Sequence, residues 1–207
     1  MIKTKEIKFN YDNQVFFKFH DINLESGENL LIIGNSGIGK TTLLHLLSGL
    51  LKSNSGSIEL FGKELTKLSS FQLDIFRRDN IGIVFQKPHF VNSLTVKENL
   101  ELAQYIANKK DNKRIRNILK NLNIFDKLNK KTNQLSQGEK QRVSIALAIV
   151  NSPKLILADE PTSSLDDDNC SNVIKLLKKQ ATDFGAQLIV ITHDSRLKKH
   201  FKKSIEL

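Results

Sequence analysis

The chain has 207 residues and a formal net charge of +10. That length suits one domain of ordinary size, so we expect residues 1–207 to form a single domain. The only cysteine, Cys170, excludes an internal disulfide. No apolar run approaches the roughly 20 residues of a membrane-spanning helix, and residues 1–7 alternate charged and apolar side chains unlike a signal peptide. We therefore expect a cytoplasmic protein.

The positive charge permits two interpretations. It is compatible with a surface for nucleic acid or for an anionic membrane. The charge is nevertheless mostly lysine dispersed along an asparagine-rich chain. A solvated lysine surface explains that distribution better, so we expect no nucleic-acid partner, while the lysine-rich residues 127–131 and 198–203 stay candidates for contact with acidic lipid head groups.

Segments of two kinds predict strands. Residues 5–9, 15–19 and 57–61 alternate apolar and polar side chains, which indicates antiparallel strands with one wet face. Four short apolar runs are continuous, which is typical of strands buried on both faces of a parallel sheet. These runs cover residues 30–33, 81–85, 155–158 and 188–192.

Helical spacing of apolar residues separates the continuous runs. It predicts helices over residues 41–51, 136–150 and 168–180. Parallel strands joined by crossover helices define an α/β fold. Residues 88–135 are mostly helical by periodicity and interrupt the strand series, so we expect an inserted helical subdomain there.

A phosphate-binding loop is the strongest local signal. The pattern G-x-x-x-x-G-K-[ST] lies directly after an apolar run and directly before a helical segment. Glycines let the backbone wrap with its N–H groups pointing inward, and the following helix adds its positive end. Lys40 then reaches the β- and γ-phosphates, and the Thr41 hydroxyl binds Mg²⁺. The pattern comprises Gly34, Asn35, Ser36, Gly37, Ile38, Gly39, Lys40 and Thr41.

Two adjacent carboxylates follow the apolar run at residues 155–158. Ligands of open parallel sheets bind at the carboxyl ends of the strands. Asp159 is therefore a candidate Mg²⁺ ligand, and Glu160 is a candidate general base for the attacking water. Together with the phosphate loop this pair leaves kinases, GTPases, helicases and recombinases all open.

Residues 135–142 narrow the choice, because Leu135, Ser136, Gln137, Gly138 and Glu139 resemble the LSGGQ signature of ABC ATPases. The resemblance extends over nearly the whole chain in the order of that family. It assigns Walker A to residues 34–42, including Thr42, the Q-loop glutamine to Gln86 and Walker B to residues 155–160. It also implies a D-loop at residues 163–166 with Asp166, and a switch histidine at His193 that contacts the γ-phosphate.

The family resemblance also implies the fold and the ligands. It predicts a P-loop NTPase with a mainly parallel, RecA-like core sheet in residues 30–88 and 150–207. An antiparallel β subdomain (residues 1–30 and 54–62) and the helical subdomain (residues 88–150) complete it. ATP and Mg²⁺ are the expected cofactors. Tyr11 resembles the aromatic side chain that stacks on adenine, with Phe9 and Phe16 as alternatives. The resemblance also implies that Gln86 contacts Mg²⁺.

One copy cannot complete such a site. In the family, two nucleotide domains close head to tail, so the resemblance places Ser136 and the Gly138 backbone on the γ-phosphate of a second copy. Gln137 and Glu139 depart from the usual Gly and Gln. A positive φ at residue 137 would cost a non-glycine residue about 1 kcal/mol or more, and we expect turnover to persist.

The stretches 77–86 and 94–100 resemble the corresponding stretches of lipoprotein-releasing, macrolide-exporting and cell-division ABC ATPases, and we expect no C-terminal regulatory domain. These act with separate membrane permeases, so we expect an export or extraction motor at the cytoplasmic face of the membrane. Phe90, Val91 and Leu94 are candidates for the permease-docking surface, or else pack inside the helical subdomain. Two alternatives stay open: a soluble ABC ATPase of DNA or ribosomes, and the motor of a membrane signalling complex that controls cell-wall enzymes.

Overall fold

The computed structural model describes residues 1–11, 15–163 and 167–207. Among these residues no helix combines the length and the apolar character needed to cross a bilayer. The strands are β1 (Ile2–Tyr11), β2 (Val15–Lys18), β3 (Asn23–Leu24), β4 (Leu30–Ile33), β5 (Ser55–Leu60), β6 (Lys63–Glu64), β7 (Ile81–Val84), β8 (Leu155–Asp159), β9 (Gln187–Thr192) and β10 (Lys203–Glu206). The α-helices are α1 (Lys40–Leu47), α2 (Ser70–Asn80), α3 (Val96–Ile106), α4 (Asn112–Asn121), α5 (Gln137–Ile149) and α6 (Asp167–Asp183).

A parallel sheet forms the centre of the molecule, with the strand order β10-β4-β9-β8-β7. All its neighbouring strands run parallel, and the four predicted continuous apolar runs are four of its strands. A second sheet of antiparallel strands has the order β2-β1-β5-β6, with β3 pairing with β1. The predicted fold class is therefore confirmed, while the predicted subdomain boundaries stay predictions.

Successive side chains of β4, β8 and β9 bury into opposite faces of the parallel sheet. Leu30, Leu157 and Ile191 join a hydrophobic cluster with α1 and the antiparallel sheet. Leu31 and Val190 join a second cluster with α3, α4, α5 and α6. Covering both faces explains why these strands carry continuous apolar runs.

The helices begin where the sequence supplies capping side chains. Ser69, Thr95 and Ser136 each accept a hydrogen bond from a backbone N–H in the first turn of α2, α3 and α5, respectively. The third helical residue completes a capping box in each case. Helix α5 packs closely on β7, since a Cβ atom at Gly82 would lie 2.0 Å from the carbonyl oxygen of Ala148. Only glycine permits this approach.

Candidate active site

The phosphate-loop residues join the end of β4 to the start of α1. Gly39 precedes α1 with φ of 99°, a conformation that favours glycine. A Cβ atom at Gly39 would also lie 2.6 Å from the ring of Phe17. Backbone conformation and close packing therefore both require glycine at this position, and the first N–H groups of α1 open toward the loop.

Lys40 is buried beneath the loop, with 7% of its surface exposed. Its ammonium group donates hydrogen bonds of 2.8 Å to the carbonyl oxygens of Gly34 and Asn35. The Lys40 Nζ atom also lies 3.7 Å from Glu160 Oε1. A lysine ammonium group has three N–H donors, so these two hydrogen bonds leave it able to bind an anion.

Thr41 and Asp159 meet at the start of α1 and the end of β8. The Thr41 hydroxyl donates a 2.9 Å hydrogen bond to Asp159 Oδ2. Asp159 Oδ1 is buried and has no hydrogen-bond partner among the described residues. Burial raises the pKa of Asp159, although the Thr41 hydroxyl acts in the opposite direction. A buried carboxylate oxygen without a partner beside a hydroxyl is a suitable donor set for Mg²⁺.

The carboxylate of Glu160 is held by several donors. Thr192 Oγ1 donates to Glu160 Oε2 at 2.8 Å. The backbone N–H of His193 donates to Oε1 at 3.1 Å, and His193 Nδ1 lies 2.9 Å from the same oxygen. Because an ionised carboxylate only accepts, Nδ1 carries the proton in this contact. A neutral ring would then accept at Nε2, so contact with an anion needs the imidazolium form or release from Glu160.

Lys40, Thr41, Glu160 and His193 line a cleft of about 320 Å³. Tyr11 is not among its lining residues, but the Tyr11 hydroxyl lies 3.3 Å from Thr42 Oγ1 at its border. Phe17, which is not one of the predicted aromatic contacts, lines the cleft, whereas Phe16 is largely exposed. Strand alternation was the available signal, because Phe17 and the buried Phe19 share a face. The lining residues are Phe17, Ser36, Gly37, Gly39, Lys40, Thr41, Thr42, Gln86, Glu160 and His193.

The residues that resemble the ABC signature lie elsewhere. Ser136, Gln137 and Gly138 are exposed at the start of α5, and none of them lines the cleft. Gln137 is the first residue of α5, and it is not one of the residues with positive φ. The backbone there accordingly needs no glycine. Asp166, the predicted D-loop contact, lies outside the described residues.

Glu139 caps the start of α5 as part of a capping box. Its Oε2 atom accepts the Ser136 N–H at 2.7 Å, and the Glu139 N–H donates to Ser136 Oγ at 3.3 Å. Lys127 Nζ lies 3.2 Å from Glu139 Oε1. The Ser136 N–H and, secondarily, Lys127 lower the pKa of Glu139.

Known proteins resemble this chain over most of its length. The family model described as ABC transporter matches residues 17–163. The lipoprotein-releasing system ATP-binding protein LolD of Buchnera aphidicola is 41% identical over 177 residues, covering 84% of this chain and 78% of the relative. The macrolide export ATP-binding/permease protein MacB of Campylobacter jejuni is 38% identical over 210 residues. This match covers 100% of the chain but only 33% of MacB.

Solved structures resemble the whole chain. The dimeric ABC transporter cassette MJ0796 superposes with a TM-score of 0.89 at 33% identity, covering 100% of this chain and 94% of that one. A post-hydrolysis dimer of MJ0796 bound to ADP and Pi gives the same TM-score and identity.

Proposed function

The chain belongs to the ABC transporter family, and from that premise we propose that it binds and hydrolyses ATP to drive export or extraction through a separate membrane permease. The similarity to the ATP-binding protein LolD over most of both chains supports the transport role. MacB is a fusion with a permease, and its match is confined to a third of its length. A lipoprotein, a peptide or a drug is the proposed cargo.

The phosphate loop supplies the proposed ATP site. The N–H groups at the start of α1 and the Lys40 ammonium group would hold the β- and γ-phosphates, including contacts from Ser36, Gly37 and Thr42. Tyr11 and Phe17 border the cleft on the side of the antiparallel sheet and offer aromatic surface for the base.

Thr41 and Asp159 would hold Mg²⁺, with Gln86 as a further oxygen ligand from the cleft wall. The fit rests on Asp159 Oδ1, which is buried and has no hydrogen-bond partner in the part of the chain that the structure describes. When bound, the metal ion would neutralise charge on the phosphates. Asp159 would stay ionised to bind it, which opposes the effect of burial on its pKa.

Glu160 is the proposed general base, and its placement carries the assignment. Its carboxylate opens into the cleft beside the phosphate loop, with Oε1 3.7 Å from Lys40 Nζ. It would accept a proton from water that attacks the γ-phosphate. In its imidazolium form, or once released from Oε1, His193 would contact the γ-phosphate and report its presence.

A second copy of the chain is the proposed partner for ATP binding. Ser136 and Gly138 are exposed at the positive end of α5, away from the cleft of their own chain. A head-to-tail pair would bring this end to the ATP of the other copy. The dimeric MJ0796 cassette supports such an arrangement.

The permease would dock in a groove between α2 and α3. The chain would then be peripheral to the membrane. This groove has a volume of about 580 Å³ and is lined by Phe71, Ile75 and Ile106. Phe71 is more than 70% exposed, as is Tyr105, which precedes Ile106 in α3. Of the expected docking residues, Phe90 packs against the core of the helical region, whereas Val91 is exposed. The packing alternative is therefore favoured for Phe90 and not for Val91.

Purified chain tests the proposal directly. We expect Mg²⁺-dependent release of phosphate from ATP, abolished by Lys40→Ala and reduced by orders of magnitude by Glu160→Gln. Glu160→Gln should still bind ATP, whereas Lys40→Ala should bind it weakly. Hydrolysis at the parent rate by Glu160→Gln would reject the assigned base. A permease that co-purifies with the chain, carrying a cargo-binding extracytoplasmic part, tests transport separately.

A further inference from the structure

Glu160 has an unusual backbone conformation. It follows the last residue of β8 with φ of 45°, in the left-handed region that non-glycine residues seldom occupy. Its N–H donates a 2.8 Å hydrogen bond to the carbonyl oxygen of Ile191 in β9. Such conformations persist where surrounding contacts hold them, and they concentrate at functional sites. The end of β9 therefore helps to fix the direction in which the Glu160 side chain leaves the sheet.

Thr192, the last residue of β9, holds one oxygen of the Glu160 carboxylate. Its side chain is fully buried, and its hydroxyl lies 2.8 Å from Glu160 Oε2. The backbone N–H of Asp194 donates to the same hydroxyl oxygen at 3.0 Å. An ionised carboxylate can only accept, so the Thr192 hydroxyl proton must point at Glu160.

The two oxygens of Glu160 thus differ in their surroundings. Oε2 is bound by buried Thr192, and Oε1 faces Lys40 and His193. Holding one oxygen of a carboxylate restricts rotation of the whole group and so fixes where the other oxygen points. Without Thr192, the carboxylate retains its contacts to His193 but loses the donor on its buried side.

We propose that Thr192 is a positioning residue, whose hydroxyl orients the Glu160 carboxylate for proton abstraction. This inference rests on the proposed role of Glu160 as general base. Thr192 itself has no contact with the reacting atoms in this account. Its effect belongs to the chemical step, because Thr192 does not line the cleft that would hold ATP.

Thr192→Val is the discriminating change, since valine keeps the branched shape and removes the hydroxyl. Thr192→Ser keeps the hydroxyl. Thr4→Val is the matched control: Thr4 is also buried, and its hydroxyl oxygen accepts a backbone hydrogen bond of 2.8 Å from Ile22, in the antiparallel sheet. Each variant would be purified at full length, and kcat and KM for ATP would be measured with Mg²⁺.

We expect Thr192→Val to lower kcat about 10- to 100-fold, while KM for ATP changes less than about threefold. Thr192→Ser should recover most of the lost kcat, and Thr4→Val should retain the parent kcat. In a Glu160→Gln background, Thr192→Val should cause little further loss, because the group it positions is absent.

Three results would overturn the inference: an unchanged kcat in Thr192→Val, an equal loss in Thr4→Val, or no recovery in Thr192→Ser. Failure of this inference can be distinguished from failure of the proposed function. Glu160→Gln with parent activity rejects the base itself. An inactive Glu160→Gln together with a fully active Thr192→Val rejects only the positioning role.

Discussion

The Thr41 hydroxyl and the Asp159 carboxylate, 118 positions apart in the chain, lie 2.9 Å from each other. Helix α1 supplies the hydroxyl, and the end of β8 supplies the carboxylate. Adjacent parallel strands end at the same edge of the sheet, which brings the residues that follow β4 close to those that end β8 and β9. The other Asp159 oxygen has no hydrogen-bond partner in the described chain.

Asp159→Asn should weaken the metal site without damaging the fold. We expect Mg²⁺-dependent ATP hydrolysis to fall by about 100-fold, because an amide is a poorer ligand than a carboxylate. Titration calorimetry should show that Mg²⁺ no longer strengthens nucleotide binding. Since asparagine removes a buried charge, the urea midpoint should not decrease. Undiminished dependence of nucleotide affinity on Mg²⁺ would argue against Asp159 as a ligand.

Lys127 should compensate for the charge of Glu139 at the start of α5. Lys127→Met leaves a carboxylate where the γ-phosphate of a second copy is proposed to bind, so ATP-driven dimerisation should weaken. Light scattering with ATP measures this effect. Lys130→Met removes the same charge from the neighbouring loop and serves as the control.

The double variant Lys127→Met/Glu139→Gln decides the cause. Removing the carboxylate should restore dimerisation to a level near that of Glu139→Gln alone. If the double variant dimerises as poorly as Lys127→Met, charge compensation is not the reason for the defect.

Gly82→Ala should destabilise the chain strongly. The added Cβ atom would lie 2.0 Å from the Ala148 carbonyl oxygen, which belongs to the backbone of α5 and cannot rotate away. We expect a loss of about 3 kcal/mol in the free energy of unfolding, measured by urea denaturation. Gly138→Ala is the matched control, because a Cβ atom there meets no atom of the described residues within 4 Å. Equal stability of the two variants would contradict the close packing of α5 on β7.

Cys170 should react slowly with thiol reagents. It is buried at the start of α6, and burial raises the pKa of its thiol, so less thiolate is present at any given pH than in an exposed cysteine. Labelling at pH 8 should be slow in the folded chain and fast in urea. As Cys170 is the only cysteine, the signal is unambiguous. Fast labelling of the folded chain would show that α6 opens readily.

Patterns within single segments predicted much of this structure. The strands β4, β7, β8 and β9 carry apolar runs because both faces are covered, and sequence alone reveals such runs. Strand β10 was not predicted. Its sequence is mostly polar, and it forms at the edge of the sheet through pairing with β4, a contact that no local pattern encodes.

The candidate site likewise contains residues that sequence motifs predict and residues that only the fold brings into place. Walker-type residues such as Lys40 and Glu160 carry motif spacing, so the sequence alone predicts them. Phe17 and Thr192 carry none. Their roles depend on which strands become neighbours, since β2 places Phe17 against Gly39 and β9 places Thr192 against Glu160. Tertiary contacts of this kind become visible only in the folded chain.

The most direct test of the account is the mass of Glu160→Gln in solution, measured by light scattering with and without ATP and Mg²⁺. We predict a monomer without ATP and a stable dimer with it, because ATP would bind between the phosphate loop of one copy and Ser136 of the other. Ser136→Arg in the same background should prevent the dimer while leaving ATP bound. A Glu160→Gln chain that binds ATP tightly but stays monomeric at all protein concentrations would contradict the paired motor.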